Sequence, residues 1–356
     1  MREAWRLLTI QSHVATGYVG NRSATFPAQL LGWDVDAVNT VQFSNHTGYG
    51  RWGGQRFDER HLTEVFEGLE RNELLTQNRV VTGYTPSPEA LSAVERLITK
   101  LRAKNPALVY LLDPVMGDMD RGMYVNPHVL PIYRRMLHLS TIICPNQFEA
   151  QLLAGEEITS LESLQAVQEK LHKEYHVPHV IITSLALPPE DLARLGASDT
   201  MPDGREAMVL VGSTWDQGLH SWFLQFPCLG EYFSGVGDLF AALVLARFST
   251  ELDDLPEPAR AAHALEPTKS DNECTLPIAR AVMLAVASLQ HVLERTRATM
   301  IEQGARLHLD PFRPVSQLDA EERVKVMRLR ELRIVQSATE IVHPHVLYRP
   351  QWVLHA

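Results

Sequence analysis

Gly235-Val236-Gly237-Asp238-Leu239-Phe240 runs straight into the apolar stretch at residues 241–246. Two glycines allow a tight turn and let the backbone approach a ligand without a Cβ in the way. The apolar stretch that follows predicts a helix over residues 238–248. The free N–H groups and positive dipole end of such a helix face back onto the turn. That geometry suits the spread negative charge of a phosphoryl group in transfer. Asp238, at the mouth of the helix, is placed to accept a proton from an attacking hydroxyl. Taken alone, the same acid also reads as an ordinary helix cap after a glycine turn. No Gly-Lys-Ser/Thr follows, so this is not a Walker A loop.

Outward from this turn, strand-like and helix-like segments alternate. Strands are expected at residues 6–10, 34–41, 79–82, 108–113, 141–144, 179–183 and 208–211. Helices are expected at residues 21–31, 61–71, 87–103 and from 148 to 154. Alternation of this kind favours a mostly parallel sheet with helices on both faces. Residues 250–273, rich in Pro, Ala, Asp and Glu, read as an exposed insertion. Residues 304–316 read as a loop, and 329–342 as a closing helix or strand. No repeat and no mid-chain shift in composition appears, which favours one domain over residues 1–356.

The chain has 356 residues, 45% hydrophobic and 21% charged, an ordinary balance for a globular protein with a sizeable core. A net charge of −10 argues against a nucleic-acid or anionic-membrane partner. Cys144, Cys228 and Cys274 are too few and too scattered for a disulfide framework or a zinc cluster, which fits a reducing compartment. The N-terminus lacks the apolar core of a secretory signal. The apolar run at residues 278–289 is too short to span a bilayer and contains Arg280. A cytosolic location is expected, with the nucleus as a further compartment.

Two other stretches are more specific than the glycine turn. One is Ile10-Gln11-Ser12-His13-Val14 with Gly17-Tyr18-Val19-Gly20-Asn21 and Ala24-Thr25-Phe26-Pro27. The other is Asp36-Ala37-Val38-Asn39-Thr40-Val41-Gln42-Phe43-Ser44-Asn45-His46-Thr47-Gly48-Tyr49. With Thr82-Gly83-Tyr84, Asp113-Pro114-Val115-Met116-Gly117-Asp118, Met123-Tyr124-Val125, Pro145-Asn146-Gln147-Phe148-Glu149-Ala150, Ile182-Thr183-Ser184 and the stretch at 332–337, they resemble the pyridoxal kinases. These belong to the ribokinase-like kinases. The resemblance covers most of the chain outside residues 250–273. It implies an α/β fold, a ribokinase-like three-layer sandwich with a mostly parallel central sheet and helices on both faces. It also implies ATP-dependent phosphorylation of vitamin B6 and a homodimer.

The resemblance assigns roles residue by residue. Gly235, Val236, Gly237 and Asp238 form the catalytic turn. Ser12 and Thr47 are the polar contacts to the B6 ring; His46 reads equally as a further contact to substrate oxygens and as a structural histidine. Val19, Val41, Phe43 and Tyr84 supply the apolar box that a small heteroaromatic needs. Asp113, Asp118, Tyr124, Asn146, Glu149, Thr183, Ser184, Ser213 and Phe233, with Gly235 and Val236, line the ATP side, and Gly212 lies along the same cleft. Asp118 and Glu149 help hold Mg²⁺, or another divalent cation such as Zn²⁺, through hard oxygens. Asp113, Cys144 and Thr183 resemble the family's K⁺ or Na⁺ site. Tyr124 lies in the loop resembling the family's lid.

Three positions depart from the pattern. Val236 stands where many relatives have Thr, and Cys144 replaces a common Thr. The loop at 119–122 is shorter than in animal relatives. A hydroxymethylpyrimidine or sugar kinase on the same fold is the nearest rival. A catalytically weak B6- or nucleotide-binding regulator is the rival from another class, and Val236 and Cys144 are the positions that speak for it.

Overall fold

The computed structural model describes residues 5–264 and 272–353. Its strands, in chain order, are β1 (Arg6–Val14), β2 (Asp34–Phe43), β3 (Gly54–Arg56), β4 (Arg79–Thr82), β5 (Val109–Leu112), β6 (Gly117–Asp118), β7 (Gly122–Met123), β8 (Ile142–Ile143), β9 (His179–Leu185), β10 (Ala207–Trp215), β11 (Leu219–Pro227) and β12 (Gln351–Trp352). All but the β6–β7 hairpin join one ten-stranded sheet in the order β12-β11-β10-β9-β8-β5-β4-β1-β2-β3. The run from β9 to β2 is parallel. Antiparallel strands extend both edges. The three-layer, mostly parallel arrangement is therefore present.

The central strands are buried on both faces, so their sequences are continuously apolar rather than alternating. Leu8, Ile10, Val80, Tyr110, Leu112, Ile143 and Ile182 face one helical layer, which includes Pro88–Lys104 and Leu161–Lys173. Leu7, Val81, Leu111, Ile142, Ile181 and Leu210 face the other, which includes Val236–Arg247 and Pro277–Leu307. The period of two along each strand sorts the residues between the layers. Val236–Arg247 is apolar all round because it packs against the sheet, against Asn21–Leu30 and against Pro277–Leu307.

Several expected boundaries move. β1 continues past its expected end at residue 10, through Ser12 to Val14. The strand expected at 208–211 is one arm of a long antiparallel hairpin whose second arm, β11, the patterning missed. The helix Pro277–Leu307 reaches into the expected loop at 304–316. Ala320–Leu329 is a further helix, and residues 329–342 hold a 3₁₀ turn at Val335–Ser337 and a short helix at Ala338–Val342. Of the expected insertion at 250–273, residues 265–271 lie outside the described residues. The rest is only partly exposed: Leu255, Ala259 and His263 are buried. His263 Nε2 pairs with the Arg247 carbonyl at 2.9 Å. This segment covers one end of the core.

Candidate active site

The parallel strands end on one side of the sheet, where open α/β sheets bind ligands. A cavity of about 630 Å³ opens there. Ser12 and Val14 reach it from the end of β1, and Val41 and Phe43 from β2. Tyr84, Asp113 and Cys144 follow β4, β5 and β8. Thr183 comes from β9, and Gly235, Gly237 and Asp238 from the start of Val236–Arg247.

The apolar half is built by a bulge. The β1–β2 register slips between Gln11 and Ser12, so Ser12 pairs with Val41 and Thr40 is passed over. Bulges beside sites re-aim side chains. Thr40 Oγ1 donates to the Tyr84 carbonyl at 2.7 Å, fixing the Tyr84 segment. Val14, Val41 and Phe43 then form a small buried cluster with Val19 and Tyr84, separate from both main cores. The expected box is therefore assembled, with Val14 as an addition.

The glycine turn is sterically enforced. Gly235 is the helix N-cap with φ +83°, and a Cβ there would lie 2.0 Å from the Tyr18 carbonyl oxygen. Asp238 stands three residues into the helix, and its Oδ2 accepts the Gly20 N–H at 2.8 Å. It is turned toward the cavity it shares with Ser12 and Thr47. Burial pushes its carboxyl above the ordinary range, the Gly20 bond opposing. The Val236 side chain is half-buried against the core and does not line the cavity.

On the other half, Asn146 and Glu149 form a capping box on the helix Gln147–Ala154. Glu149 Oε1 accepts the Met116 N–H at 2.8 Å and Oε2 the Asn146 N–H at 3.0 Å. Asn146 Nδ2 donates to the Gly117 carbonyl at 2.7 Å. The pair therefore anchors the β6–β7 hairpin while facing the cavity. Burial raises the Asp113 carboxyl well above its ordinary range, with the Glu149 and Asp238 charges adding to the effect. Burial likewise raises Glu149 against its backbone bonds. Asp113, Glu149 and Asp238 thus form a repulsive set of hard oxygens, which a cation would relieve. No three His, Cys, Asp or Glu side chains among the described residues form a ready cage.

Some expected residues are elsewhere. Ser213 is buried, with its hydroxyl 2.8 Å from His172 Nε2, and Gly212 lies against the Trp222 ring, so neither reaches the cavity. Phe233 is a core residue, and its neighbour Tyr232 lines the cavity instead. Ser184 follows Thr183 on β9, where alternate side chains face opposite sides, and does not line it. Asp118 sits on the hairpin, its Oδ1 accepting the Arg121 N–H at 2.8 Å, outside the cavity wall. Tyr124, on the same loop, does line it.

His46, expected to bond substrate oxygens, has both ring nitrogens taken. Nδ1 accepts the Gly48 N–H at 3.2 Å, and Nε2 lies 3.3 Å from Glu331 Oε1. Glu331 is missing from the sequence reading. Its carboxylate also accepts the Tyr49 hydroxyl at 2.9 Å and the Tyr18 N–H at 3.0 Å. Burial would raise this carboxyl, but the bonds from His46, Tyr49 and Tyr18 outweigh it and hold it below the usual carboxylate range. Arg121, Trp52, Arg323 and Met327 also line the cavity without having been foreseen. Arg121 covers the Tyr232 ring at 4.7 Å, linking the hairpin to the approach of the glycine turn.

Residues 73–218 match the family model described as phosphomethylpyrimidine kinase. The pyridoxal kinase of Ovis aries is 38% identical over 356 residues, covering 98% of this chain and 98% of that protein. The pyridoxal kinase of Homo sapiens is 36% identical over 358 residues, again covering 98% of each. Among solved structures, the Leishmania donovani pyridoxal kinase in complex with ADP and pyridoxamine matches with a TM-score of 0.74 and 28% identity. That match covers 98% of this chain and 99% of the other.

Proposed function

This chain belongs to the pyridoxal kinase family, and we propose that it transfers the ATP γ-phosphate to the 5′-hydroxyl of pyridoxal, pyridoxine and pyridoxamine. The observation that carries the reading is the shared cavity: Asp238, the Gly235 turn, Ser12 and Thr47 all open onto it at the ends of the parallel strands.

The B6 ring lies in the box of Val14, Val19, Val41, Phe43 and Tyr84, with the Ser12 and Thr47 hydroxyls oriented on its substituents. Asp238 accepts the 5′-hydroxyl proton as that oxygen forms its bond to the γ-phosphorus. The bond from phosphorus to the bridging oxygen breaks, and ADP leaves with that electron pair. The Gly235–Gly237 amides and the helix dipole face the transferring group. A divalent cation, Mg²⁺ or another such as Zn²⁺, supplies charge neutralisation at the phosphates when bound; Glu149 and Asp113 would hold it through its waters, with Asp118 on the adjoining hairpin. Asp113, Thr183 and the residue-144 backbone suit K⁺ or Na⁺. Burial, with Asp113 beside it, pushes the Cys144 thiol well up, so its side chain stays neutral and its carbonyl is the better ligand. Tyr124 and Arg121 on the hairpin exclude water from the nucleotide side.

We read residues 1–356 as one catalytic unit, acting as a cytosolic homodimer. No helix among the described residues is long and apolar enough to cross a membrane. The test is ATP-dependent phosphorylation of the three vitamers, and of hydroxymethylpyrimidine, with Mg²⁺ and K⁺ varied separately. Turnover of the vitamers that needs the divalent ion is expected. Turnover of hydroxymethylpyrimidine alone, or of no vitamer, would overturn the assignment.

A further inference from the structure

We infer that Glu331 is a positioning residue for vitamer binding: it accepts the Nε2 proton of His46 and holds the ring, which then locks the Thr47 turn to the glycine turn. The argument begins at Nδ1. The Gly48 N–H donates to it, so Nδ1 carries no proton. The neutral ring must carry its proton on Nε2, which faces Glu331 Oε1 at 3.3 Å. The Ser234 hydroxyl, 3.3 Å from Nδ1, is then the donor of that pair.

These partners have telling places. Gly48 follows Thr47 in the 3₁₀ turn Thr47–Tyr49, and Ser234 precedes Gly235. One imidazole therefore joins the substrate-side turn to the phosphate-side turn across the cavity. Moving the proton to Nδ1 would set a ring N–H against the Gly48 N–H and turn the Nε2 lone pair on Glu331 Oε1.

The surroundings of Glu331 are built for this contact. Its side chain is 10% exposed, as is fitting for a carboxylate that accepts three donors. Gly17 has φ +96°, and a Cβ there would come within 2.4 Å of Glu331 Oε1. Arg323, from the preceding helix, donates from Nε to the Gly48 carbonyl at 2.8 Å. The same C-terminal segment thus grips the Thr47 turn twice.

The kinetic consequence rests on the function proposed above; the proton position does not. Two readouts on the full chain separate them. In ¹⁵N-histidine-labelled protein, with His46→Gln used to assign the signal, His46 should appear protonated on Nε2. In Glu331→Ala the proton should stay on Nε2, because Gly48 still donates to Nδ1, but the Nε2 signal should shift as the ring loses its acceptor. The pyridoxal KM should rise roughly tenfold, as when a buried donor loses its acceptor, with the ATP KM within about twofold. Glu331→Gln keeps a carbonyl acceptor for the ring and should recover most of the pyridoxal KM. Should Glu331→Ala not fold, Glu331→Asp, which withdraws the carboxylate by one methylene, takes its place with the same readouts. Protonation of wild-type His46 on Nδ1, or equal changes in both KM values in a folded variant, would overturn the inference. If wild-type protein turned over no vitamer, the functional reading would fall while the ¹⁵N spectrum still decided the proton position.

Discussion

Replacing Asp238 by Asn removes a proton acceptor and changes little else in shape. The Gly20 N–H, 2.8 Å from Oδ2, can be met by the amide oxygen, so the start of Val236–Arg247 should hold its place. Positioned general bases contribute roughly 10²–10⁴ in rate. At 1.36 kcal/mol per tenfold, that is about 3–5 kcal/mol of barrier. Nucleotide affinity should be unchanged or slightly tighter, because a negative charge facing the phosphates is gone. The assay is steady-state turnover of pyridoxal beside direct measurement of ATP binding. A fall in kcat within the stated range, with ATP binding retained, is expected. A kcat within tenfold of wild type would refute the assignment of Asp238 as base, and a matching loss of ATP binding would mean the turn had been disrupted instead.

Asp113→Asn should become more stable relative to wild type as pH rises. The folded carboxyl is raised by burial and by Glu149 and Asp238, so wild type loses stability above the ordinary Asp range until the folded group ionises. Thermal melts at pH 4, 6 and 8 check this, and a pH-independent difference would contradict it. Gly235→Ala forces a side chain into a left-handed conformation, which costs about 1–2 kcal/mol, and into the Tyr18 carbonyl. A melting point lowered by at least about 2 °C and a strongly reduced kcat are expected, and an unchanged kcat would show that the turn does not need its glycine.

The parallel core was legible because its strands are short apolar runs closed by turn residues. β4 matches its expected bounds, and Gly235 to Asp238 announced the glycine turn that opens Val236–Arg247. The second arm of the antiparallel hairpin was harder to see. In Leu219–Pro227, polar His220, Ser221 and Gln225 interrupt the apolar run. Ser213 shows a second limit. It lies two residues past the strand expected at 208–211, and only packing decides that its hydroxyl turns inward to His172. Glu331 marks a third, since no local pattern relates it to Tyr49, 282 residues away. The buried part of 250–264 was misread because its Pro and Ala content resembles a loop, while its few apolar side chains find a gap beside Gly32.

The reach of Glu331 back to Tyr18, His46 and Tyr49 also bears on how the protein is born. At about 5–20 residues per second, a ribosome that has just released Tyr49 needs roughly a quarter-minute to a minute to deliver the carboxylate that completes this corner. Throughout that interval the nascent chain carries the vitamer-side turn without its anchor. A message truncated before codon 331 would therefore yield a chain with most of the sheet and an unfinished pocket.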